Sequence, residues 1–160
     1  MDAADVHQAL DHVIALGLAD PDRLGVLGLS YGGFMVNWLV GTTDRFKAAV
    51  SENGVTNQVS DWANSDSGPE YDRASLLGDP FSAAGIDKLW RGSPLRHETS
   101  IRTPLLMLQA ESDLRCPPQD NEQLFHRPAS PSGGRWSTSS IPTSRTPMHP
   151  AVDRTGGSTG

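Results

Sequence analysis

The stretch Leu24-Gly25-Val26-Leu27-Gly28-Leu29-Ser30-Tyr31-Gly32-Gly33-Phe34-Met35 constrains this chain more than any other. An apolar run of strand length, then a glycine-flanked serine, then an apolar helix-compatible segment read as a buried parallel strand, a tight turn and the start of a helix. Gly28 and Gly32 bracket Ser30 at a spacing where the backbone bends so sharply that residues without a Cβ are expected on either side. The bend lifts the Ser30 hydroxyl clear of the sheet. It also directs the first helical N–H groups, beginning with Tyr31, at a place where negative charge could build up on a bound carbonyl.

The rest of the chain reads outward from that turn. From Asp2 to Leu16 the apolar Val6, Ala9, Leu10, Val13 and Ile14 recur at helical steps, with Asp2 expected as N-cap and Gly17 as C-cap. A helix this close to Met1 is unusual as the first element of an α/β sheet, so further structure is expected to precede it. After the turn, Phe34, Met35, Trp38 and Leu39 are expected to form the buried face of a helix ending near Gly41, and Phe46 to Val50 a second strand. Strand, helix, strand is the mark of a parallel crossover unit. Residues from about Glu52 to Glu98 show weaker periodicity and read as loops and short helices able to wall a site. Thr103 to Ala110 is the next strand, delivering Glu111, Ser112 and Asp113 at its C-terminal end, where α/β sheets hold their ligands. Pro117 and Pro118 then open a short helix through Leu124 and Phe125.

Composition excludes several classes. A chain of 160 residues with 36% hydrophobic and 20% charged residues suits one soluble globular domain. Its apolar runs are of strand length and its start lacks a signal-peptide pattern, so no membrane is expected. The net charge of -6 gives no basic footprint for nucleic acid. One cysteine, Cys116, rules out an internal disulfide framework and a cysteine-based zinc site, making a reducing cytoplasm the expected compartment. Beyond His126 the chain changes: about two thirds of residues 127–160 are Pro, Ser, Thr or Gly, without apolar periodicity, and a disordered tail is expected there.

A serine hydroxyl needs a base to take its proton and a carboxylate to orient that base. In the α/β-hydrolase fold these follow the serine in the order acid, then histidine. Asp113 fits the acid. Glu111 is its rival and lies closer to the strand body. Asp44, Asp61, Asp66 and Asp79 read as surface charges, and Cys116, beside two prolines, as a buried structural thiol. No histidine stands out. His7 and His12 lie on the first helix before the serine and read as its polar face, and His97 precedes the acid. His126 closes a helix soon after Asp113, and His149 has the right order but sits in Thr146-Pro147-Met148-His149-Pro150 with no strand to carry it.

These residues resemble a known family. G-L-S-Y-G-G-F-M, the segment Asn37 to Val50, Ser93-Pro94-Leu95 and the segment Ile101 to Phe125 are similar to the catalytic domain of prolyl oligopeptidase-family serine peptidases, nearest the acylaminoacyl-peptidase and dipeptidyl-aminopeptidase-like branch. The resemblance covers roughly Asp2 to Phe125. It implies a partial α/β-hydrolase domain over residues 1–126, with Ser30 as nucleophile, Asp113 as triad acid and the Tyr31 backbone N–H as one oxyanion donor. It implies acyl transfer from a peptide or acyl-peptide substrate, with no metal or organic cofactor. An esterase of the same fold and a non-catalytic remnant are the alternatives.

The family's catalytic domain begins with further strands, one bearing a second oxyanion donor, and follows a β-propeller, so this chain is expected to be N-terminally truncated. The family's histidine lies on a loop after one more strand, and residues 127–160 resemble nothing there. Codons compatible with Arg135 to Met148, read from the third base, give V-E-Y-V-L-Y-P-D-E-S-H-A-Y, a strand followed by a histidine loop. Residues 127–160 are therefore expected to be a disordered or frame-shifted tail.

Overall fold

The computed structural model describes residues 2–75, 78–125 and 136–141. Helix α1 (Asp2–Ala15) and a short 3-10 turn (Pro21–Arg23) lead into β1 (Gly25–Leu29), which Ser30 joins directly to α2 (Tyr31–Thr42). Strand β2 (Ala48–Glu52) is followed by α3 (Gln58–Asn64), α4 (Gly68–Ser75), α5 (Ala83–Arg91) and a 3-10 segment (Pro94–Ser100). Strand β3 (Leu105–Ala110), α6 (Pro118–Phe125) and β4 (Trp136–Ile141) complete the described elements. The strands form one parallel sheet in the order β1-β2-β3-β4. Parallel neighbours need crossovers, supplied by α2, by the α3–α5 region and by α6, which is the layering of an α/β-hydrolase sheet.

The register sorts the side chains into two faces. Ala49, Leu105 and Met107 are buried and pack with Val36 and Val40 of α2, with Ile101 before β3 and with Leu124 of α6 into the main core. A second cluster, Leu24, Leu39 and Phe46, is covered by Leu10 and Ile14 of α1. On the opposite face Leu27 pairs with Val50 and Val50 with Leu106, yet Leu27 is 81% and Leu29 57% exposed.

Several expectations change at this level. Gly17 does end α1: at φ +71° it lets Gly17 N–H reach Ile14 O and Leu18 N–H reach Val13 O, the paired bonds of a left-handed helix cap. Asp2, however, is the first helical residue rather than a cap, and its carboxylate accepts from the Tyr31 hydroxyl. His7 lies on the half-buried side of α1, 3.5 Å from the Arg45 guanidinium, not on a purely polar face. In α2 the buried positions are Gly33, Val36, Asn37, Leu39, Val40 and Gly41, whereas Phe34, Met35 and Trp38 are only partly covered. That helix is apolar all round, so periodicity could not tell the side facing the sheet from the side facing a cleft.

The largest change is in the expected tail. Trp136 to Ile141 pairs with Leu105 to Ala110 as a parallel fourth strand. A central strand offers backbone donors and acceptors to any extended neighbour, whatever its side-chain pattern. This strand falls where the alternative reading frame places V-E-Y-V-L-Y. His126, His149 and the remainder of the expected tail lie outside the described residues.

Candidate active site

The turn between β1 and α2 has the geometry of a nucleophile elbow. Ser30 sits at φ 58°, ψ −119°, a conformation rare for a residue with a side chain and found where surrounding structure enforces it. Its N–H donates to Glu52 O at 2.9 Å, and its carbonyl accepts from Phe34 N–H at 2.9 Å. A Cβ on Gly28 would lie 2.4 Å from the Gly32 backbone, so this glycine is sterically required. Gly32 itself faces open space within 4 Å, contrary to the expectation that both brackets are required for room. The second close approach is at Gly33, where a Cβ would meet Glu52 O at 2.6 Å and Gly54 Cα at 2.9 Å. Ser51 Oγ locks this crossing by donating to Gly33 O at 3.2 Å.

The loop after β3 presents Asp113. One carboxylate oxygen, Oδ1, accepts from Arg115 N–H at 2.8 Å and Cys116 N–H at 2.9 Å, fixing the carboxylate to its own loop. Asp113 is half-buried while Glu111 is exposed. The loop is tied to the segment before α4: Asp66 N–H donates to Leu114 O, Ser65 Oγ donates to Arg115 O at 2.8 Å, and Arg115 pairs with Asp66. Strand β3 is held at its end by Asn53, whose side chain accepts from Ala110 N–H at 2.8 Å. Asn53 adopts φ 45°, which asparagine tolerates better than most residues.

Cys116 links the serine to the acid loop. Its N–H binds Asp113, and its Sγ lies 4.0 Å from Ser30 Oγ. Burial, reinforced by the Asp113 charge, pushes the thiol up to about 11, so it stays protonated and inert at neutral pH. Both residues line a cleft of about 680 Å³. Its apolar wall includes an aromatic ladder on α2: Tyr31 stacks on Phe34 at 5.6 Å between ring centroids, and Phe34 meets Trp38 at 6.4 Å. Burial and the bond to Asp2 push the Tyr31 hydroxyl up to about 12, so it remains a neutral donor.

The α3–α4 region walls the cleft, as expected, through Val55, Gln58, Asp61, Ser67 and Tyr71. Asp61 is not a surface charge as expected: it is 4% exposed. Gln58 was not foreseen, because nothing in a lone glutamine of a weakly periodic stretch marks it. None of His7, His12 and His97 lines the cleft. His97 packs edge-on against Trp38 at 5.1 Å, and burial beside Arg96 lowers its pKa, as befits a neutral packing residue.

A parallel sheet with crossover helices and a serine on a strained strand-to-helix turn define the α/β-hydrolase class. Residues 1–130 match the prolyl oligopeptidase family, and the chain belongs to that family, in its acylaminoacyl-peptidase-like branch. It is 47% identical over 125 residues to an uncharacterized peptidase of Bacillus subtilis, covering 78% of this chain and 19% of that protein. It is 36% identical to the acylamino-acid-releasing enzyme of Arabidopsis thaliana, covering 72% of this chain and 16% of the enzyme. Among solved structures, the acylaminoacyl peptidase of Pyrococcus horikoshii superimposes with a TM-score of 0.80 at 27% identity, over 89% of this chain and 23% of that one. The chain thus spans less than a quarter of the length of these relatives.

Proposed function

We propose that this chain carries the nucleophile and acid of a cytoplasmic serine peptidase site that cleaves peptide or acyl-peptide bonds. The observation that carries the reading is the Ser30 elbow opening into an apolar cleft beside the Asp113 loop. Ser30 attacks the carbonyl, the Tyr31 backbone N–H at the start of α2 stabilises the developing oxyanion, and Asp113 orients the imidazolium that forms. The family order calls for a histidine base after the acid, and no histidine of this chain is identified in that role. His126 and His149 are the two histidines that follow Asp113 in the sequence. An acylaminoacyl peptidase of the same fold takes a peptidyl chloromethyl ketone, which favours a peptide substrate over nucleic acid here. A single cysteine supports a reducing compartment. Among the described residues no helix is long and apolar enough to cross a membrane.

A second reading, a non-catalytic remnant retaining the cleft, is favoured by the absence of His7, His12 and His97 from its lining. Hydrolysis assays on the full chain separate the two. Turnover of N-acetyl-aminoacyl anilides that Ser30→Ala abolishes supports the peptidase. Turnover of p-nitrophenyl esters alone marks an esterase, and no turnover by the folded chain marks a remnant.

A further inference from the structure

The cleft wall contains a polar group the proposed mechanism does not use. Gln58, the first residue of α3, is 5% exposed and lines the cleft, and its Oε1 has no hydrogen-bond partner among the described residues. Its backbone is fixed, because Gln58 N–H donates to Ser93 Oγ at 2.9 Å and Asn57 caps the helix through Val59 N–H. Its Oε1 is itself enclosed, and a turn about the soft terminal carboxamide torsion brings it to the cleft surface. The same cleft has an apolar part, lined by Phe34, Met35, Trp38 and Val55. A buried amide without a partner is unfavourable unless a ligand supplies one, so such a group in an apolar cleft is a selector.

We propose that Gln58 is a specificity-determining residue that favours a substrate side chain with an apolar stem and a neutral hydrogen-bond-donating tip, of the glutamine type. The inference rests on the peptidase reading for the identity of the cleft. The apolar wall takes the methylene stem and the tip carboxamide donates to Gln58 Oε1. A lysine of similar length must strip water from its ammonium to enter an apolar wall. An aliphatic side chain leaves Gln58 unpaired. Asp61, one turn along the same helix, is the group that would reverse this order in favour of a cation.

Equilibrium binding tests the inference without requiring chemistry. The full chain carrying Ser30→Ala is titrated with N-acetyl-glutamine amide, N-acetyl-norleucine amide and N-acetyl-lysine amide, followed by NMR chemical shifts. The glutamine ligand is expected to bind about tenfold tighter than the norleucine ligand, a margin that Gln58→Met removes. Equal or tighter norleucine binding, tightest lysine binding, binding of none of the three, or a preference that survives Gln58→Met overturns the inference. The ligand comparison uses the native Gln58, so an unfolded Gln58→Met variant does not shield it. Fluorophosphonate labelling of Ser30 in the unsubstituted chain reports on the peptidase reading separately. Labelling without glutamine preference removes this inference alone, and preference without labelling removes the peptidase reading alone.

Discussion

The two faces of the sheet are built from similar residues and meet different fates. On one, Ala49, Leu105 and Met107 are at most 3% exposed beneath Val36, Val40, Ile101 and Leu124. On the other, Leu27 and Leu29 stand 81% and 57% exposed. The strand order explains the asymmetry: crossovers of one hand, in a sheet extended strand by strand in one direction, all place their helices on the same side. Covering the second face takes elements other than the described crossover helices. A strand apolar on both sides therefore reports two faces that prefer burial, not two faces that the described helices bury.

Truncating the covered face is the strongest challenge to this comparison. Leu124→Ala and Met107→Ala each remove a side chain exposed by no more than 1% and are expected to cost about 2–5 kcal/mol in urea unfolding. If either costs no more than Leu27→Ser, the asymmetry carries no energetic weight.

A buried carboxylate behind the covered face sharpens the comparison. Asp120 is 1% exposed in α6 and accepts from the Ser60 hydroxyl; burial raises its pKa from 3.8 to about 6. Its folded pKa lies above its unfolded one, so the folded state holds the extra proton between about pH 4 and 6. Stability is then expected to fall as pH rises through that window, by at most roughly 3 kcal/mol. Asp120→Asn is expected to remove that loss, so that its advantage over the unsubstituted chain grows from pH 4 to pH 7. A constant difference across that range contradicts the burial account.

The elbow offers a smaller, local contrast. Gly28→Ala drives a methyl into the Gly32 backbone and is expected to cost on the order of 1–3 kcal/mol, whereas Gly32→Ala meets no neighbour. Equal losses in thermal unfolding would contradict the geometry of the turn. The smallest effect belongs to the bare face: Leu27→Ser is expected to change stability by no more than about 0.5 kcal/mol while reducing self-association in light scattering.

What the sequence made legible follows the reach of each signal. The tight turn at Ser30 and the strands around it rest on local spacing and appear in the structure, with β2 two residues later than expected. The face of α2 was not legible, because Tyr31, Phe34 and Trp38 are apolar for the cleft while Val36 and Val40 are apolar for the sheet. Asp61 looked like a surface charge because a lone carboxylate in a weakly periodic stretch does not advertise burial. Strand β4 escaped because its pairing with β3 is a backbone property that a Ser- and Thr-rich segment does not advertise. Asn53 and Gln58 carry no local mark at all.

The most direct test of the central claim, that Ser30 is the nucleophile of a peptidase-type site, is fluorophosphonate labelling of the full chain read by peptide mass spectrometry, with folding confirmed by circular dichroism. The label is expected on Ser30, with its loss in Ser30→Ala and slower labelling in Asp113→Asn. A folded chain that takes no label at Ser30, or labels equally fast without the Asp113 carboxylate, contradicts that claim.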